Sequence, residues 1–196
     1  MAAMGSESRI ILASGSPRRR ELLEKIGIED FTVLADTSEE VITPGLSPEE
    51  QVIKLSLQKA LNVAKKCNKN DIILAADTIV YLDSKPLGKP ESYTDAISML
   101  EELSGRKHSV YTGVTLLRDD KVISHAERTD VSFREVSGSE IEAYVKTGEP
   151  MDKAGSYAAQ GRASIFIERI EGDFFNVMGL PLCKVSQMLK EFEVRL

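Results

Sequence analysis

The stretch Ile10-Ile11-Leu12-Ala13-Ser14-Gly15-Ser16-Pro17-Arg18-Arg19-Arg20 constrains this chain more than any other. Four apolar residues in a row, broken by a small polar loop and then a proline, read as a buried strand that turns at once into a helix. Ser16 is the expected N-cap and Pro17 the first helical residue, where a fixed φ fits and a backbone N–H is not needed. Leu22, Leu23 and Ile26 supply the apolar face, and Gly27 closes the helix. A strand feeding a helix in this way belongs to a layered protein in which helices cover a sheet.

The same loop carries chemistry. Backbone N–H groups at a helix start lack intrahelical partners and sit at the positive end of the helix dipole, so Ser14, Gly15 and Ser16 leave room for a phosphate. Arg18 and Arg19 can add charge-assisted bonds to phosphate oxygens. Cations in a first turn oppose the dipole unless an anion offsets them; the plain alternative is a solvated helix face. The loop is not of the Walker type, because GxxxxGK[ST] is absent.

With 196 residues, 42% of them hydrophobic, the chain can bury a core in one domain over residues 1–196, single or made of two joined lobes. Residues 1–7 read as a flexible tail. A strand is expected at Phe31 to Leu34. Ser47-Pro48-Glu49-Glu50 forms a capping box, and Ile53, Leu57, Ala60, Leu61 and Ala64 read as the apolar side of the helix behind it. Ile72 to Leu82 is expected as a strand interrupted at Asp77-Thr78, followed by a helix from Ser92 to Leu103 that Gly105 closes. Strands are expected at Ser109 to Leu117, Val122 to His125 and Thr129 to Val136, with antiparallel pairing. Ser139 and Glu142 read as a second capping box, Ser164 to Ile170 as a strand and Pro181 to Phe192 as a final helix. The class is mixed α/β of the α+β kind.

Composition excludes several functions. A net charge of −6 argues against a nucleic-acid polymer as partner, since such binding draws its strength from Lys and Arg on phosphates. No apolar run is long enough for a bilayer and no leader pattern is present, so a cytoplasmic protein without a membrane partner is expected. Cys67 and Cys183 lie in no CxxC spacing and read as free thiols. The two histidines, His108 and His125, have no metal spacing, and GxSxG and GxGxxG are missing, which argues against a histidine triad and a Rossmann dehydrogenase. His108 reads as a strand-entry or surface residue.

Asp77 is a carboxylate inside the apolar run Ile72 to Val80, where burial without a partner is costly. A hydrogen-bonded turn or an ion pair would satisfy it; so would a role as metal ligand or as base for a water attacking phosphorus. Glu39 and Glu40 follow a strand and read plainly as a soluble loop. Lys59 lies on the inward or flanking side of its helix, and Lys89 is pinned between Gly88 and Pro90; each lysine alone is ordinary on a surface. In Asp152-Lys153-Ala154-Gly155-Ser156-Tyr157-Ala158-Ala159-Gln160-Gly161, small residues admit a flat ligand and Gln160 offers both a donor and an acceptor to a base edge.

Taken together, Leu12 to Leu23, Ala76-Asp77-Thr78-Ile79-Val80, Gly88-Lys89-Pro90, Leu103-Ser104-Gly105, Asp152-Lys153-Ala154-Gly155 and Gly179-Leu180-Pro181 resemble the Maf family of nucleotide pyrophosphatases, also called septum-formation inhibitors. The resemblance implies two lobes around a central cleft, related to inosine triphosphate pyrophosphatases, a homodimer, and dependence on magnesium or manganese. It implies Asp77 as catalytic base and metal ligand with Glu40, Glu39 remaining open because the loop varies in length. It implies Ser14, Arg18, Arg19, Lys59, Lys89 and Lys153 as residues holding the nucleoside triphosphate. Arg18, Thr78 and Gln160 match the family's markers of base preference, and resemble the branch acting on dTTP and UTP, including modified uridine triphosphates. Two other readings stand beside it: a non-catalytic nucleotide-binding regulator of cell division, and the same hydrolysis on another base.

Overall fold

The computed structural model describes residues 9–38 and 41–196. The class is mixed α/β, as expected. Strand β1 (Ile10–Leu12) runs into helix α1 (Pro17–Lys25), then β2 (Phe31–Val33), α2 (Pro48–Ala64), β3 (Ile72–Leu82), β4 (Lys85–Leu87) and α3 (Tyr93–Leu103). There follow β5 (Lys107–Arg118), β6 (Lys121–Phe133), α4 (Gly138–Val145), β7 (Ile167–Glu171), α5 (Phe174–Met178) and α6 (Leu182–Glu191), with short 3-10 turns between α4 and β7. The strand order is β2-β1-β3-β5-β6-β7, with β4 on β3. β1 pairs parallel with β2 and β3; β4 on β3 and β7 on β6 are antiparallel. Among the described residues no helix is long and apolar enough to cross a membrane.

The chain divides into two compact units, one made of residues 1–77, 113–126 and 182–196, the other of residues 78–112 and 127–181. In the first, Ile11, Ala13, Ala60, Val63, Ile73, Ala75 and Leu117 form a buried cluster that seats α2 on the strands. Gly113 on β5 makes that contact possible: a Cβ there would lie 2.1 Å from the carbonyl oxygen of Val52 on α2. In the second unit, Val80, Leu100, Val110, Phe133, Ile141, Tyr144, Tyr157 and Phe166 belong to one larger core.

Several local expectations are corrected. The buried side of α2 is Val52, Leu55, Ala60 and Val63, whereas Leu61 is 46% exposed. Two apolar stripes compete on this helix, and the one containing small Ser56 and Ala60 permits the closer approach. β3 runs through Asp77 and Thr78 without a break, because strand bonds belong to the backbone and a polar side chain need not interrupt them. β6 is one long strand in place of two. The capping box of α4 is Ser137 with Glu140, two residues earlier than Ser139 with Glu142. Residues Arg162–Phe166 form a 3-10 turn before β7, where a strand from Ser164 was expected. His108 stands at the entry of β5, one of its two expected placements, and is buried instead of on the surface, with Nε2 2.9 Å from the Tyr157 hydroxyl and its ring edge-on to Phe133 and Tyr157. Burial lowers its pKa to about 4, so the ring stays neutral at ordinary pH. Cys67 and Cys183 are free thiols, as expected.

Candidate active site

In the first unit, β1 ends in the Ser14 loop and α1 begins at once. Ser16 occupies the N-cap position, yet its side chain caps nothing. The Ser14 hydroxyl takes over: it accepts from the Ser16 N–H at 3.2 Å and from a guanidinium N–H of Arg19 at 3.1 Å. Ser14 is buried and Arg18 and Arg19 are half-buried, so this loop is a packed structure with cations held beside its backbone N–H groups. Such a concentration of donors suits an anionic group.

Asp77 lies in the middle of β3 and is 3% exposed. Its Oδ1 accepts from Lys59 Nζ at 2.5 Å, while Oδ2 is buried with no hydrogen-bond partner among the described residues. An ion pair, one of the alternatives for Asp77, therefore exists, and it satisfies half of the carboxylate. A buried carboxylate oxygen left without a donor is costly to maintain. Lys59 reaches Asp77 from α2, whose capping box at Ser47 and Glu50 fixes the helix start.

Asp36, which sequence reasoning passed over, belongs to the same surroundings. Its carboxylate accepts from Ser38 N–H at 3.2 Å and from Asn62 Nδ2 at 3.3 Å. Burial pushes its pKa up, but the bonds from Ser38 and Asn62 and the charge of Lys59 outweigh that and hold it below the ordinary carboxylate value. The Asp36-Thr37-Ser38 spacing is the signal that could have found it, since an Asp that bonds the N–H two residues on makes a self-supporting turn. Glu39 and Glu40 lie outside the described residues, and no group of three or more His, Cys, Asp or Glu side chains suited to a metal occurs among the described ones.

In the second unit, Thr78 Oγ1 shares a 2.9 Å hydrogen bond with Thr112, whose hydroxyl donates to the Asn176 carbonyl at 3.0 Å. Lys89 is exposed on its loop, and that loop is tied to the Lys153 segment by the Gly155 N–H donating to the Gly88 carbonyl at 3.0 Å. Lys153 Nζ donates to the Glu149 carbonyl at 3.2 Å and pairs with Asp152. Gln160 is exposed at the end of the small-residue segment Tyr157 to Ala159. The structure thus joins Lys59 to Asp77, Ser14 to Arg19, and the Lys89 loop to the Lys153 segment.

The model of Maf-like proteins matches residues 9–192, a span that takes in both units and every candidate position. The chain belongs to the Maf family. A dTTP/UTP pyrophosphatase of Bacillus cereus (strain AH820) is 48% identical over 186 residues, which cover 95% of this chain and 96% of that protein. The dTTP/UTP pyrophosphatase of Bacillus anthracis is 48% identical over the same shares. A solved HAM1 protein from Coxiella burnetii superposes on this Maf protein with a TM-score of 0.54 at 18% identity, over 94% of this chain and 99% of the other, which shows a common fold.

Proposed function

We infer that this Maf protein is a nucleoside triphosphate pyrophosphatase that hydrolyses dTTP and UTP, modified uridine triphosphates included, to the monophosphate and pyrophosphate. The observation that carries the reading is Asp77, a carboxylate at 3% exposure with one oxygen on Lys59 and the other without a hydrogen-bond partner among the described residues. As a base, that free oxygen takes the proton of a water whose oxygen bonds to the α-phosphorus. The bond from this phosphorus to its bridging oxygen breaks, and pyrophosphate leaves with the electron pair. Positioning and charge neutralisation dominate such phosphoryl chemistry, so no covalent intermediate is needed.

Ser14, Arg18 and Arg19 receive phosphate oxygens at the start of α1, and Lys59 both neutralises phosphate charge and aligns Asp77. Lys89 and Lys153 are further phosphate ligands, while Thr78 and Gln160 read the base. An unpartnered buried carboxylate oxygen suits a hard divalent cation, so Asp77 fits magnesium or manganese, with Glu40 as the second protein ligand. When bound, that ion would neutralise phosphate oxygens and acidify a water. The resemblance carries the rest of the reading: one catalytic domain, a homodimer and a cytoplasmic place of action.

The test is a panel of nucleoside triphosphates with magnesium or manganese, scored separately for pyrophosphate and orthophosphate. Pyrophosphate released preferentially from dTTP and UTP is expected. Orthophosphate alone would move the cleavage site, preference for another base would change the substrate, and binding without any product would leave a nucleotide-binding regulator.

A further inference from the structure

We propose that Glu149 is the positioning residue of the base-reading segment, its carboxylate fixing the backbone on both sides of Gln160. The proposal rests on the reading that Gln160 contacts the base. Glu149 opens the 3-10 turn Glu149–Asp152. Its Oε1 accepts from the Tyr144 hydroxyl at 3.0 Å, and its two oxygens accept from the Arg162 N–H at 3.0 and 3.3 Å. The Tyr144 oxygen in turn accepts from the Ala158 N–H at 3.2 Å. One side chain therefore holds, directly or through one hydroxyl, the residue two before Gln160 and the residue two after it.

Two further observations show a built contact. Gly161 lies under the carboxylate so closely that a Cβ would stand 2.3 Å from Oε1, so the position beside Gln160 must lack a side chain for the carboxylate to seat. Tyr144 is buried, and that burial, followed by the charge of Glu149, pushes its ionisation well up, so the hydroxyl remains a donor to the carboxylate. Glu149 also accepts Lys153 Nζ on its backbone carbonyl, which a side-chain substitution leaves in place.

The chemistry explains why rigidity matters here. Uracil and thymine present a carbonyl acceptor beside an N–H donor, and cytosine presents the reverse pair. A glutamine amide carries one acceptor and one donor group, so it matches either base if it can turn over. Selectivity then depends on the backbone that holds the amide in one pose.

The experiment measures kcat and KM for UTP and CTP in the wild type, Glu149→Ala, Glu149→Gln, Tyr144→Phe and Gln160→Ala, with thermal melts to establish folding. Glu149→Ala is expected to lower the UTP-to-CTP ratio of kcat/KM about tenfold, chiefly through a higher KM for UTP. Glu149→Gln, which keeps an acceptor but sets an N–H2 group against the Arg162 N–H, and Tyr144→Phe should move the ratio the same way by less. These two variants carry the test if Glu149→Ala does not fold. Equal losses on UTP and CTP in folded variants, or an unchanged ratio, would overturn the positioning role. If Gln160→Ala shifts the ratio and the Glu149 and Tyr144 variants do not, only the positioning role falls. If Gln160→Ala also leaves the ratio unchanged, the base-reading assignment falls with it.

Discussion

Asp71 and Asp77 stand at the entry and in the middle of the same strand, each 3% exposed, and the structure treats them in opposite ways. Asp71 is saturated: Arg9 donates to its two oxygens at 3.2 and 3.0 Å, and the Asn68 N–H adds a bond at 2.8 Å. Asp77 has one lysine on one oxygen and, among the described residues, no hydrogen-bond donor on the other. Burial is therefore no guide to which carboxylate is fully bonded. On the proposed reading, the count of satisfied oxygens separates a fastening from a catalytic candidate.

The sharpest way to break this contrast is one substitution made at both places. Asp77→Asn should lower turnover of UTP by a factor on the order of a hundred or more in a protein that still folds, since the Asn amide oxygen can keep the hydrogen bond from Lys59. Full activity in that variant would remove the proposed base. Lys59→Met comes next: it strips the buried Asp77 of its cation, which costs on the order of 3 kcal/mol when a buried pair is broken, and it should also slow hydrolysis at least about tenfold. Chemical denaturation beside steady-state rates reads both.

Asp71→Asn should show the mirror image. Activity per folded molecule stays at the wild-type level, while stability falls by roughly 1–3 kcal/mol from the weakened bonds to Asn68 and Arg9. A variant that melts normally but loses turnover would erase the distinction between the two aspartates. The smallest effect is in acid. The Arg9 bonds, joined by the Asn68 N–H, hold the folded Asp71 carboxyl below its ordinary value despite the opposing effect of burial. Its contribution to stability is thus present above about pH 3.9, the unfolded value, and fades as pH falls through the lower folded one. Denaturation midpoints from about pH 6 to pH 3 should drop less steeply in Asp71→Asn than in the wild type; equal slopes would mean the carboxyl is unshifted.

Much of this was legible in the chain itself. The strand-to-helix start at Ile10 to Pro17 and the capping box at Ser47 and Glu50 appear where the residue types demand them, because caps and prolines act locally. So did the oddity of Asp77 within apolar neighbours. The exposed Leu61 face of α2 was misread because periodicity shows stripes but not which stripe the sheet selects. Asp36 and Glu149 escaped notice for a related reason. Beyond the local turn from Asp36 to Ser38, their partners, Asn62 in one case and Arg162 in the other, lie 26 and 13 residues away, and only tertiary structure joins them.

The bare backbone at Gly113 reaches further than its own strand. It lets α2 lie flush against β5 at Val52, seven residues before Lys59 on the same helix. Any larger residue would act as a shim under that rod, and a shift of an ångström at its far end is enough to part an ammonium from its carboxylate. A position without a reactive atom thereby sets the alignment of the Lys59–Asp77 pair.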